Sequence, residues 1–431
     1  MSRTDPSPPT PSATYHPIEF SEISRGATEV LDRLNNAGYA SQLVGGCVRD
    51  LYLGHSPKDF DVATAAHPEQ VREVFRRARL IGRRFKLVHV RAGREIIEVS
   101  TYRSSPGAVA HEDRTEHGRL LRDNVYGVQD DDVWRRDFTI NALYYDHRKR
   151  HIVDYVGGVA DLDAGVVRMI GNAKERCRED PVRALRAIRF AAALGFAIDR
   201  ELAAAIEEAG PLVGDVPAAR LFDEVLKLFH RGYASATYEL LRDYGLFSHL
   251  FPLSAMHLQR APTAGHEKLY RLALRNTDQR VSDGKPVIAA FLMAVFLWGP
   301  VRAAVAGHRE AGVPDHESEY IAADEVLAQQ SVRTTVPRRV ATPIKEIWAM
   351  QPRLVSRRGR AARLLENRRF RAAYDFLVLR SEAGDADSEA ADWWTRFQEV
   401  DESQRHSMVR DRPTHSAKDR PRRRRRRSAG A

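Results

Sequence analysis

Two carboxylates one residue apart, Asp59-Phe60-Asp61, follow the run Leu43-Val44-Gly45-Gly46-Cys47-Val48-Arg49-Asp50. On an extended strand, residues i and i+2 share a face, so both acids converge while Phe60 turns to the core. Like charges held that close repel unless a cation lies between them. Oxygen ligands suit Mg²⁺, with Mn²⁺ as the alternative ion; Mg²⁺ takes one or two carboxylates and fills its shell with water and substrate phosphates. The Gly45-Gly46 pair ends an apolar run and opens a helix, which leaves backbone N–H groups for a phosphate. A lone Asp-x-Asp is usually a solvated turn, and a lone Gly-Gly marks many turns. Glycines, Arg49 and the acid pair within one short stretch supply different parts of one site. The chemistry they point to is metal-assisted transfer of a nucleotide.

Three further groups of residues extend this site. Glu98 interrupts the apolar run Ile96-Ile97-Glu98-Val99, and a carboxylate there is expensive to bury unpaired. It is the candidate third acid of a two-metal site; the competing explanation is an edge-strand Glu facing water. Arg135-Arg136-Asp137-Phe138-Thr139-Ile140-Asn141 offers guanidinium donors for phosphate or ribose oxygens. Asp137 and Asn141, four apart, would share a helix face and could hold a sugar, or they could belong to a surface salt-bridge cluster. Glu179-Asp180-Pro181-Val182-Arg183 continues through Arg186 and Arg189. Asp180 before a proline makes a good helix N-cap. The three arginines sweep one helix face and repel each other unless an anion or acids lie opposite. Asp180 can accept from an exocyclic amine and Arg183 can donate to a ring nitrogen, which would select a base without a template.

The elements that must position these groups are legible in outline. Apolar spacing predicts a helix over 23–36, a strand over 40–44, and a short helix ending near Gly54. A second strand is expected over 58–64 with both aspartates on it, then a helix from Pro68 to about Arg77. Lys86–Arg91 and Glu95–Arg103 read as a hairpin joined at Ala92-Gly93-Arg94. The polar stretch 104–129 reads as a loop. From Pro181 onward the pattern is helical, with no strand pattern after Ile170. The expected fold is an α/β head with a mixed sheet, followed by an all-α neck and body and a disordered basic tail. The expected boundaries are 1–20 leader, 21–170 head, 171–255 neck, 256–400 body and 401–431 tail.

Composition bounds the rest. A chain of 431 residues with 43% hydrophobic and 29% charged content is a globular multi-domain protein. Cys47 and Cys177 form no disulfide framework or zinc motif, which fits a reducing cytosol. The longest apolar run, Val287–Trp298, is too short to span a bilayer and reads as a buried helix. No membrane span or secretory signal is visible, and a cytoplasmic location is expected. Residues 401–431 carry 11 Lys and Arg against 4 acids, so +7 of the total +10 lies there. Its six-arginine run, Arg422, Arg423, Arg424, Arg425, Arg426 and Arg427, must stay solvated or bind a polyanion such as RNA.

In this order, the motifs resemble the class II nucleotidyltransferases of the DNA polymerase β superfamily, which contains tRNA CCA-adding enzymes and bacterial poly(A) polymerases. The likeness rests on Leu43–Asp50, Asp59–Thr64, Arg135–Asn141 and Glu179–Arg189. It implies metal binding by Asp59 and Asp61, a place for Asp137 among the catalytic acids beside the candidate Glu98 read from its strand, and triphosphate contacts at Gly46 and Arg49, next to Gly45. It also implies ribose contacts at Arg136 and Asn141, base reading by Asp180 and Arg183, and a nucleotide pocket completed by Arg186 and Arg189. The segment 80–90, Asp123-Asn124-Val125-Tyr126-Gly127 and Ala219–Glu224 resemble the poly(A) polymerase branch. ATP and RNA 3′ ends are the partners this implies, while the sequence names no protein partner in RNA decay. The alternatives are CCA addition to tRNA and a catalytically silent RNA-binding protein.

Overall fold

Helix α1 (Arg25–Asn36) forms where apolar residues recur at helical spacing. Ala27, Val30, Leu31 and Leu34 are buried, and the Ser24 hydroxyl caps the start by accepting from the Ala27 N–H at 3.1 Å. The structure is a computed structural model; it describes residues 11–16, 18–82, 86–104, 126–261, 265–356 and 361–410. Under α1 lies an eight-stranded sheet: β1 (Ser12–Tyr15), β2 (Ser41–Val44), β3 (Asp61–Thr64), β4 (Arg79–Ile81), β5 (Leu87–Ala92), β6 (Glu95–Thr101), β7 (Tyr144–Asp146) and β8 (His151–Asp154). Their spatial order is β1-β8-β7-β2-β3-β6-β5-β4. Only the β3–β6 pair is parallel, so the sheet is mixed, as expected.

Helix α2 (Gly46–Tyr52) follows β2 at once, and α3 (Pro68–Val74) follows β3 with Pro68 in its first turn. Helices α4 (Gln129–Arg135) and α5 (Gly158–Ala164) flank the β7–β8 hairpin in sequence. A two-residue strand pair, β9 (Val166–Val167) with β10 (Ala197–Ile198), closes this region. Then come α6 (Ala173–Glu179), α7 (Val182–Leu194), α8 (Arg200–Ala209), α9 (Ala218–Phe229) and α10 (Ala234–Asp243).

The chain forms two compact units. One comprises Met1–Gln259, Leu274–Ala289 and Asp324–Val336, and holds the sheet and α1–α10. The other comprises Arg260–Ala273, Ala290–Ala323 and Pro337–Ala431. Its described part is helical around an aromatic core, where Trp393 and Phe397 stack at 4.5 Å and the Trp394 indole N–H donates to the Leu354 carbonyl. Among the described residues, no single helix is long and apolar enough to cross a membrane.

Several elements differ from the expectations. The second strand starts at Asp61, so Asp59 sits on an exposed bend before it and Phe60 is only half-buried. Strand β2 meets β3 at Val62–Thr64 and turns into α2 after Val44, so residues 58–60 have no ladder partner there, and Pro57 offers no N–H. Part of the expected leader, Ser12–Tyr15, is an edge strand on β8. The 104–129 stretch ends in α4 at Gln129, while 105–125 lies outside the described residues. Strand β10 lies beyond Ile170, where two residues carry too little pattern to detect. The 287–298 run ends as Ala289–Phe296 and breaks 52° into Trp298–Glu310, because Pro300 cannot continue the first helix.

Candidate active site

Asp61 opens β3, and the parallel pairing sets it opposite Glu98 on β6. Burial pushes the Asp61 carboxyl up to about 6; Glu98 and Asp59 add to the rise, against the pull of Arg136. Glu98 is therefore on an interior strand beside Asp61, where the sequence left an edge position open. A carboxylate raised by two like-charged neighbours fits a divalent cation placed among them. Among the described residues, no three His, Cys, Asp or Glu side chains form a complete ligand cluster. Behind Asp61, Cys47 is buried and free, and burial pushes its thiol up to about 12.

A connected row of polar groups runs away from these acids toward β7 and α7. Gly45 turns the chain from β2 into α2 at φ +78°, and a Cβ there would lie 3.4 Å from Arg136 Nη1. Arg49 on α2 donates to Asn141 Oδ1 at 2.7 Å and also grips Asp50. The Asn141 amide reaches Asp137 Oδ1 at 3.5 Å, and Arg186 Nε donates to Asp137 Oδ2 at 2.7 Å. Asp137 and Asn141 meet through a 3-10 turn, Thr139–Asn141, and not through the α-helix expected for them. Against the burial that would raise it, Arg186 holds the Asp137 carboxyl below the usual carboxylate range. Cations of α2 and α7 gather at Phe190, with the Arg49, Arg186 and Arg189 guanidinium carbons 5.3, 5.4 and 4.5 Å from its centroid. Arg189 Nε is buried without a hydrogen-bond partner among the described residues.

The α6–α7 junction carries Asp180 and Arg183. Asp180 closes α6, and its Oδ1 caps α7 by accepting from the Val182 N–H at 3.2 Å. Its other oxygen accepts from Arg220 at 2.6 Å. Arg183 donates to the Arg176 carbonyl at 2.7 Å and to Glu179 at 2.9 Å. Both base-reading candidates are thus held by protein groups on one ledge.

Three residues here, Asp132, Tyr144 and Arg176, escaped the sequence reading. Asp132 is buried, accepts from Arg136 at 2.9 Å and from the Tyr144 hydroxyl at 2.6 Å, and so fixes Arg136 beside Asp61. Burial would strip Arg136 of its charge, but Tyr144 and Asp132 hold its pKa above the ordinary value. The i,i+4 spacing of Asp132 and Arg136 was the available signal. Arg176 donates to the Trp134, Arg135 and Arg136 carbonyls, which satisfies the end of α4. The six-arginine run 422–427 and the Arg83–Phe85 and 123–125 parts of the resembling segments lie outside the described residues.

Comparison with known proteins agrees with this architecture. The family profile "Poly A polymerase head domain" matches residues 41–168, "Probable RNA and SrmB- binding site of polymerase A" matches 195–257, and "Polymerase A arginine-rich C-terminus" matches 311–428. The chain is 46% identical to the poly(A) polymerase I of Escherichia coli O6:H1 over 89% of this chain and 84% of that one. It is 42% identical to the poly(A) polymerase I of Haemophilus influenzae over 93% and 90%. In fold it is similar to the Bacillus stearothermophilus CCA-adding enzyme solved with CTP, with a TM-score of 0.55, 24% identity, and coverage of 87% of this chain and 82% of that one. With three profiles in chain order and relatives this close along most of its length, the chain belongs to the poly(A) polymerase family.

Proposed function

We propose that this chain adds AMP from ATP to RNA 3′ ends without a template, releasing pyrophosphate, and works in the cytoplasm. The observation that carries this reading is the placing of Asp61, Glu98 and Asp59 at one end of the Arg49–Asn141–Asp137–Arg186 row. Acids that can hold a cation lie beside guanidinium groups that can hold a nucleotide. The choice of poly(A) over CCA addition rests on the 46% identity to a poly(A) polymerase over 89% of this chain, against 36% identity to the CCA-adding enzyme of Streptococcus mutans over only 50% of it.

In the transfer, the RNA 3′-oxygen bonds to the α-phosphorus of ATP, the bond to pyrophosphate breaks, and the hydroxyl proton passes to solvent. Asp59 and Asp61 would hold Mg²⁺, which when bound supplies Lewis-acid activation and neutralises charge on the leaving group. Gly45, Gly46 and Arg49 receive the triphosphate, Arg49 donating as a fork. Arg136, locked by Asp132 and Tyr144, adds positive charge beside Asp61 at no cost of reorganisation. Asp137 and Asn141 hold the ribose, while Arg186 and Arg189 with Phe190 form the wall of the pocket. Asp180 accepts from the adenine amine once Arg220 releases it, and Arg183 donates to the ring. Residues 21–170, 171–255 and 256–400 serve as head, neck and body in this scheme.

Purified protein given a short generic RNA and each nucleotide separately tests the reading. A long ladder with ATP alone is expected. Incorporation that stops after three residues, and only on tRNA lacking its end, would overturn it. Asp59→Ala with Asp61→Ala should abolish addition and retain RNA; unaltered addition would sink the catalytic assignment.

A further inference from the structure

Asp61 lies in the middle of the sheet, and its two sides differ. Toward β2 and β7 stand the nucleotide-side groups. Toward the opposite edge, strand register continues a row through Asp61, Glu98, His89 and Arg79 on β3, β6, β5 and β4. Residues paired in register point to one face, with strands about 4.8 Å apart. Arg91, two residues past His89 on β5, shares that face. The opposite face of these strands, Val88, Val90, Ala92, Ile97 and Val99, is buried in the core that α1 covers.

The row changes sign along its length, from acidic at Asp61 and Glu98 to basic at Arg79 and Arg91. His89 joins the halves, with its Nε2 3.6 Å from Glu98 Oε2. Arg79 and Arg91 are exposed, and neither has an ion-pair partner among the described residues; Arg91 Nε has a long contact, 3.4 Å, to the Gly93 carbonyl. An arginine on an edge strand is a common guard against edge-to-edge pairing. That accounts for Arg79 on β4 and does not account for Arg91 on interior strand β5.

We propose that this open face seats the 3′-terminal stretch of the RNA strand, with its phosphodiesters on Arg79 and Arg91. His89 is a positioning residue that steadies the Glu98 carboxylate. The proposal rests on the polymerase reading and adds which surface the RNA takes. Transfer in line brings two polyanions to the acids from opposite sides. The Arg49–Arg186 side receives the nucleotide, so the Arg79–Arg91 side receives the RNA.

The test is binding of a fluorescent single-stranded oligoadenylate to the full chain across a salt series, without ATP. Arg79→Ala with Arg91→Ala should weaken binding and lower the slope of log K against log salt by about 0.7 per lost phosphate contact. The KM for RNA should rise while the KM for ATP holds, and the effect should shrink with a dinucleotide primer. His89→Gln should restore what His89→Ala loses in turnover. Arg72→Ala, on α3 against the other sheet face, removes one charge and should leave the slope alone. An unchanged slope in the double variant, or an equal per-charge loss with Arg72→Ala, would overturn the RNA seat. A parent that binds RNA and adds no AMP would overturn the polymerase reading, while the slope still decides the seat.

Discussion

Asp137 is only partly exposed and stays ionised because Arg186 lies against it, with Nε and Nη2 both on Oδ2. Removing Arg186 leaves that carboxylate without its strongest donor, at a cost of about 1–3 kcal/mol. Its folded pKa lies below the unfolded value of about 4. The stabilisation is therefore present above about pH 4 and is lost as pH falls through the folded pKa. Arg186→Ala should be less stable than the parent at neutral pH, and the gap should close on acidification below about pH 4. Urea unfolding at a series of pH values checks this; a gap independent of pH would show that Arg186 stabilises by packing alone. The same variant should raise the KM for ATP, since Asp137 is tied to Asn141 and Arg49 in one row.

The short turn Thr139–Asn141 brings Asn141 to Arg49, and its position depends on α5. The Thr139 hydroxyl donates to Asp161 on α5 at 2.6 Å, and Gly158 packs so closely under the turn that a Cβ would collide with the Thr139 carbonyl oxygen. Gly158→Ala should displace the turn, destabilise the fold by about 1–3 kcal/mol as overpacked cores do, and raise the KM for ATP. Thermal unfolding with ATP titration reads both; an unaltered KM would show that the turn does not set Asn141. Much of this site was legible in sequence because its parts have local signatures. Spacing marked α1 and α7, glycines marked the turn into α2, and Glu98 announced itself by interrupting an apolar strand. The remainder depended on tertiary contact. Asp130, Asp131 and Asp132 are alike in sequence, and only the fold chooses Asp132 to meet Tyr144 and Arg136. The helix expected around Asp137 is a 3-10 turn because residues 137–139 are spent on contacts with the 168–170 segment: Thr139 N–H donates to the Arg168 carbonyl and the Asp137 carbonyl accepts from Ile170. The strand expected to carry Asp59 stops short because β2 bends away into α2.

Charge is distributed over the whole chain so that binding and chemistry are separable. Residues 411–431 carry nine Lys and Arg against Asp411 and Asp419, a net +7, whereas the total is +10. The rest of the chain is thus close to balanced, and its cations at the site are mostly engaged with acids: Arg49 with Asp50, Arg136 with Asp132, Arg186 with Asp137 and Arg220 with Asp180. Such pairs make a site selective for one anion, while a run of arginines attracts any polyphosphate at long range and is screened by salt. Deleting 411–431 should therefore weaken RNA binding most at low salt and flatten the slope of log K against log salt. On short primers at saturating RNA, the rate of AMP addition should hold, because the deletion removes none of the residues around Asp61. Anisotropy across a salt series, paired with single-turnover addition, separates the two effects. An equal loss of addition at saturating RNA would mean that the arginine run takes part in the transfer itself.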